Sequence, residues 1–237
     1  MWLLFRDDDF GWQPKAFARL LTLFARYDQK LNAAAIPVGL TEALIQESIP
    51  YSYQAAPYLQ LVTHGYRHEN LQTQGKKSEF GDQRKSSEVL RELVQGREQL
   101  QSTFENYFPC FVPPWNRIHD AHLPLLKEAG YLMLSRDESS EKRNSAPIPE
   151  FNVSIDLHTN KTKKFESKEL FRLLANKFEA GEEFTGVMLH HNVMTDEDFQ
   201  TLEELLKELT KRNIFSCFYS DLIPGFERRV ESEVGHV

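Results

Sequence analysis

The sequence predicts an α/β protein with a largely parallel sheet, organised as one main domain. Three observations predict it. Short apolar runs of strand type alternate with helical patterns along the whole chain, no internal linker interrupts them, and 237 residues suit one barrel-sized domain. Seven or eight such strands would close a barrel, and a closed β/α barrel carries its chemistry at the C-terminal ends of its strands.

The elements follow in order. Residues 2–6 read as a buried strand ending in Asp7, Asp8 and Asp9. Pro14 suits the first turn of a helix over 14–27, whose Phe17, Leu20, Leu21 and Phe24 share one face. A strand near 31–38, a short helix near 41–48 and a strand over 58–63 ending at His64 come next. Residues 69–83 are polar and contain glycine, which predicts a long surface loop. Val89, Leu90, Leu93, Val94, Leu100 and Phe104 recur at helical spacing, so a helix is expected between 84 and 107. Phe111 and Val112 form a short strand that Pro113 and Pro114 stop, because two prolines cannot sustain a ladder.

A helix near 120–129 closes at Gly130, a strand covers 131–134, and 136–150 is a second long polar loop. The last third repeats the alternation, with a strand near 152–157, a helix near 168–179 behind Ser167 and a strand near 185–189. Thr195 can cap a helix carrying Phe199, Leu202, Leu205, Leu206 and Leu209. A final strand is expected over 214–219. The domain is thus placed at 1–220, and 221–237 is a charged tail expected to fray.

Composition narrows the function. A hydrophobic fraction of 41% beside 27% charged residues lets a core form without disulfide staples. A net charge of −7 gives a nucleic-acid partner no electrostatic footing. Cys110 and Cys217 each lie in an apolar stretch and read as two buried thiols. The start lacks the basic residues and long apolar run of a signal peptide, and no run approaches the roughly 20 apolar residues of a membrane span. A cytoplasmic location is the expectation.

The metal-type residues fall at successive strand ends. Asp7-Asp8-Asp9 ends the first strand, His64 and His68 follow the third, Pro113-Pro114-Trp115-Asn116 follows the next, and His190-His191 ends a late one. A carboxylate, two imidazoles and an open position are what a catalytic divalent cation needs. Each feature has a bland reading, as a solvated turn, an incidental H-x-x-x-H or a satisfied strand-end histidine. Together they are far less expected by chance. His119 and His122 form a competing pair around Asp120 that more naturally caps and pads the helix there, and His158 and His236 have no context.

In this order the motifs resemble the polysaccharide deacetylases, carbohydrate esterase family 4, over roughly residues 1–220. Arg6-Asp7-Asp8-Asp9-Phe10-Gly11 looks like an Arg-x-Asp-Asp-x-Gly variant of the first motif, and His64-Gly65-Tyr66-Arg67-His68 fits the second with Gly65 in place of a hydroxyl residue. The resemblance implies a single, somewhat distorted (β/α) barrel of seven strands. It also implies one divalent metal ion, Zn expected, on Asp9, His64 and His68, with Asp8 as base and His190 as acid. A register shifted by one would make Asp7 the base and Asp8 the ligand. Two departures stand out. The third-motif arginine that holds the base is Val112 here, with Arg6 and Arg117 as possible substitutes, and the aspartate that tunes the acid has only Asp137 or Asp156 as counterparts.

The implied reaction removes an N-acetyl group from a sugar or polysaccharide precursor. Tyr66, Pro114, Trp115 and Asn116 are the expected substrate contacts, with a backbone N–H of the 113–116 turn at the oxyanion, and loops 69–83 and 136–150 are expected to choose the substrate. The alternatives are an amidase for a non-sugar amide and a non-catalytic sugar-binding domain.

Overall fold

The computed structural model describes residues 2–49, 57–138, 144–157 and 166–224. Its strands are β1 (Trp2–Phe10), β2 (Leu31–Ala35), β3 (Leu59–His64), β4 (Tyr107–Val112), β5 (Met133–Leu134), β6 (Val153–Asp156), β7 (Phe184–Leu189) and β8 (Ser216–Cys217). Its helices are α1 (Pro14–Arg26), α2 (Glu42–Ser48), α3 (Ser86–Thr103), α4 (Leu123–Glu128), α5 (Ser167–Glu179) and α6 (Asp196–Lys211). None of the described helices is long and apolar enough to cross a membrane.

Every strand pair is parallel, in the order β5-β4-β3-β2-β1-β7-β6. The sheet curls into a distorted half-barrel. Isolated bridges between Leu134 and Glu150 and between Asp137 and Val153 link the β5 side to the β6 side. β1 is central: β7 pairs with it from Trp2 to Asp7, β8 takes Leu3 and Leu4, and β2 takes Arg6 to Phe10. Asn32 fills the fork so formed. Its amide donates to the carbonyls of Phe5 and Cys217 at 3.0 and 3.2 Å, and its oxygen accepts the Tyr219 N–H at 3.0 Å.

Alternation along each strand separates two apolar layers. Leu3 and Phe5 face outward, where Phe17, Leu20 and Phe24 of α1 and Leu202 and Leu206 of α6 cover them. Leu4 faces inward with Ala34, Val62, Cys110, Val112, Met133 and Tyr219. A third cluster lies under α3 and α4, around Val89, Leu93, Phe111, Leu126 and Tyr131. Each fully buried leucine or phenylalanine contributes about 1.5–3 kcal/mol of transfer free energy. Both cysteines are buried and unpaired with each other, as expected.

Several boundaries differ from the sequence expectation. β1 runs on to Phe10, so the three aspartates lie inside the strand and not after it. The third helix stops at Thr103, and β4 begins at Tyr107 despite Pro109. The pairing of β3 with β4 slips between Leu61 and Thr63, and this irregularity accommodates the proline. The last strand shrinks to two residues because the chain turns inward at Phe218 and sends Tyr219 into the barrel. The tail from 225 and residues 139–143 of the second loop lie outside the described residues, as does His158.

Candidate metal centre

Three adjacent carboxylates in a buried strand would repel one another unless each had a separate partner. Each has one. Asp7 faces outward and accepts from His191, whose backbone N–H and Nδ1 lie 2.9 and 2.7 Å from its two oxygens. Asp8 faces the barrel interior with Arg6, whose Nε and Nη2 meet its two oxygens at 2.8 and 3.0 Å. Strict alternation would turn Asp9 outward beside Asp7. Its φ of 69° and the break in the β1–β2 register turn it toward the mouth instead.

There Asp9 Oδ1 lies 3.3 Å from His64 Nε2 and 3.1 Å from His68 Nε2. These three side chains are the one metal-type cluster found among the described residues. Burial would raise the Asp9 pKa, but the two imidazoles hold it well below the usual carboxylate range. The cluster fits a divalent cation on two counts. Asp9 Oδ1 is buried and faces both Nε2 atoms, so three ligand-type atoms within 4.8 Å of one another converge on one point. His64 Nδ1 lies 3.0 Å from the Val112 carbonyl, which fixes the proton on Nδ1 and leaves the Nε2 lone pair for a metal. Asn192 donates to the other Asp9 oxygen at 3.1 Å and fixes its rotamer.

The arginine that holds Asp8 comes from β1 itself. Arg6 is fully buried, and its guanidinium also donates to Asn116 Oδ1 at 2.8 Å and Ser135 Oγ at 3.0 Å. Tyr219 Oη donates to the same Ser135 oxygen at 2.7 Å. Burial opposes the charge of Arg6, but Asp8 more than restores it, and its pKa lies above the ordinary arginine value. Arg117, the other possible substitute, points away and donates to the Lys77 carbonyl at 3.0 Å. Val112 carries no charge to offer this carboxylate, and Arg6 pairs with Asp8 from within β1.

The segment that leads from His64 to His68 is held by a buried carboxylate. Glu79 is buried, and its carboxylate accepts the backbone N–H groups of Tyr66, Arg67 and His68 at 3.2, 2.7 and 3.2 Å. Burial pushes its pKa up to about 7, against the pull of those N–H groups. Left-handed backbone concentrates here, at Gly65 (φ 61°), His68 (57°), Trp115 (55°) and Asn116 (56°), as it does at many functional sites. Trp115 packs its ring 4.7 Å from the His68 ring, and Trp12 lies 4.8 Å away on another side.

The remaining expected residues divide clearly. His190 follows β7 at the mouth and is half-buried. His191 is a clamp: its Nε2 lies 2.8 Å from the Trp12 carbonyl, so both ring nitrogens face acceptors. Burial opposes its charge, but Asp7 and that carbonyl outweigh burial and raise its pKa. Asp156 ends β6 in register with Met188 of β7, while Asp137 bridges to Val153. Pro114 is buried against Gly65, Asn116 is turned inward to Arg6, and Tyr66 is half-buried against α3 beneath the Arg67 guanidinium. His119 accepts the Ala121 N–H and His122 is buried against the Gly81 carbonyl, so this pair caps and pads as expected.

Glu79, Asn192 and Ser135 were not legible as site residues. Each sits in an irregular segment with no periodicity to mark which way it points. Only the nearness of Asn192 to His190 in sequence carried any signal.

Parallel strands closing toward a barrel are the fold of solved family 4 carbohydrate esterases and related deacetylases. Solved structures agree. The chain superposes on a protein from Mycobacterium smegmatis described as a polysaccharide deacetylase with a TM-score of 0.67 and 15% identity, covering 90% of this chain and 85% of that one. A family 4 carbohydrate esterase from Streptomyces lividans, solved with acetate, matches with a TM-score of 0.59 and 8% identity over 92% of both chains. A family 4 pseudoenzyme from Bacillus anthracis matches with a TM-score of 0.56 and 14% identity, covering 91% of this chain and 63% of that one. No protein-family model and no curated protein sequence matches the chain.

Proposed function

We propose that the chain is a metal-dependent deacetylase that hydrolyses the N-acetyl group of a sugar or polysaccharide precursor. The observation that carries this is the convergence of Asp9, His64 and His68, with Asp8 held by Arg6 one residue away. Asp9, His64 and His68 are the residues that would hold the cation, and their one-oxygen, two-nitrogen donor set suits Zn²⁺. A cation there supplies Lewis acidity, which polarises the amide carbonyl and acidifies nearby water.

The chain supplies the remaining chemistry. Asp8 accepts the proton of the attacking water, and its two-point contact with Arg6 fixes the orientation of its carboxylate. The backbone N–H groups of Asn116 and Arg117 are committed to the carbonyls of Pro113 and Pro114, so Trp115 is the residue of this turn assigned to donate to the developing oxyanion. His190, on a different strand end, delivers a proton to the leaving amine, which is too basic to depart as an anion. The Trp115 and Trp12 rings form apolar walls on which a sugar face can stack.

The fold is shared with a pseudoenzyme, so turnover itself is the test. Purified protein loaded with Zn²⁺ or Co²⁺ should release acetate from at least one member of a panel of N-acetylated sugars and chito-oligosaccharides. Absence of release across the panel by metal-loaded, folded protein would contradict the catalytic reading.

A further inference from the structure

We propose that Glu79 is a positioning residue for the metal site, and that Gly65 leaves the space in which its carboxylate holds the His-x-x-x-His segment. The inference rests on the metal reading of Asp9, His64 and His68 and adds to it the residue that shapes the loop.

Three observations meet at one point. The Glu79 carboxylate accepts three consecutive backbone N–H groups, those of Tyr66, Arg67 and His68, so it sets the path of the chain between the two histidines. Gly65 has a φ of 61°, and a Cβ built on it would lie 2.3 Å from Glu79 Oε2 and 2.6 Å from Pro114 Cγ. The carboxylate thus occupies the space that a side chain at residue 65 would take. Glu79 is also fully buried, and Arg84 donates to its backbone carbonyl at 3.3 Å while holding Glu92 by two further bonds of 3.0 Å. The glutamate is therefore anchored from its own backbone.

The physical consequence concerns His68. It sits at a left-handed φ of 57°, an unfavourable state for a residue with a side chain. An acceptor for its N–H and those of the two residues before it stabilises that turn, and the turn is what aims His68 Nε2 at Asp9. Without the carboxylate, three N–H groups lose their acceptor and the histidines lose their fixed separation. An aspartate is one methylene shorter and reaches less well. A glutamine keeps one acceptor oxygen but turns an amide N–H toward a donor.

The test uses the full chain and Glu79→Gln, Glu79→Asp and Glu79→Ala, with two readouts. The first is Zn²⁺ affinity by competition with a chromophoric chelator. Outer-shell partners of metal ligands typically contribute about 10–100-fold, so Glu79→Ala should lose that much and Glu79→Gln less. The second is amide hydrogen exchange of the metal-free protein. Protection should fall at Tyr66, Arg67 and His68 while β1 and α6 keep theirs. If folded Glu79→Ala and Glu79→Gln keep wild-type zinc affinity and wild-type protection at 66–68, the proposal is overturned. If Glu79→Ala does not fold, Glu79→Gln and Glu79→Asp decide by the same two readouts. If wild type binds no divalent cation but the variants lose protection at 66–68, the loop device stands and the metal reading is what fails.

Discussion

At the scale of single residues, the chemistry depends on giving three neighbouring aspartates three different surroundings. Asp7 is tied to an imidazole, Asp8 to a guanidinium, and Asp9 to the histidine pair. Removing the two groups proposed to transfer protons should separate catalysis from metal binding. Asp8→Asn and His190→Ala are each expected to lower acetate release about 10²–10⁴-fold, with metal content by elemental analysis unchanged. Loss of metal in Asp8→Asn, with Asp7→Asn inactive, would move the base and ligand by one residue. Arg6 is a different case, because removing one partner of a buried ion pair leaves the other uncompensated. Arg6→Ala should destabilise the fold by about 3–5 kcal/mol in denaturant unfolding. A change below 1 kcal/mol would mean that Asp8 does not depend on Arg6.

Away from the site, His122 is buried against the Gly81 carbonyl, and burial lowers its pKa from the ordinary value of about 6.5. The unfolded chain therefore takes up this proton first as pH falls. The His122 contribution is at its full value above about 6.5 and is progressively lost below it. His122→Gln lacks this titration, so the melting-temperature advantage of wild type over the variant should shrink between pH 7 and pH 5. An advantage constant across that range would contradict the assignment.

At the scale of elements, pattern and propensity revealed those whose signals agree with one another. Thr195 heads α6 as expected, with a full capping box to Asp198. Thr195→Ala should cost about 1 kcal/mol in thermal or denaturant unfolding, and no measurable change would mean the cap is dispensable. The strand end at His64 and the helix stop at Gly130 were equally readable. β1 was read short because aspartates are poor strand formers, and only tertiary partners from β7, β1 itself and the loop after β3 make them tolerable there. The start of β4 was hidden because Phe104 continues the helical spacing and Pro109 argues against a strand. Sequence position marked His64, His68, the aspartate run and the turn at 113–116 at strand ends, while the Asp8–Asp9 register came from the resemblance with Asp7–Asp8 as its alternative. The sequence could offer Arg6 only as one of two candidate partners for the aspartates, since that choice depends on which side chain turns into the interior beside Asp8.

At the scale of the whole molecule, the half-barrel brings together strand ends far apart in sequence, and the loops above them are the proposed substrate selectors. Loop 69–83 divides in two. Lys77 Nζ stands 5.9 Å from the Trp115 ring at its outer part, while Glu79 at its inner part holds the ligand loop. Exchange of 71–77 alone should change the preference among acetylated sugars, read as relative kcat/KM, and leave zinc affinity intact. An exchange that alters zinc affinity and not preference would contradict this division.

The central claim is that β1, the end of β3 and the loop after it form one divalent-cation site, and metal stoichiometry tests it most directly. Elemental analysis of purified wild type, dialysed against a trace of Zn²⁺, should find one metal per chain. The His64→Ala, His68→Ala double variant, with wild-type circular dichroism, should hold none. Full retention of metal by the folded double variant, or none in wild type, would contradict the account.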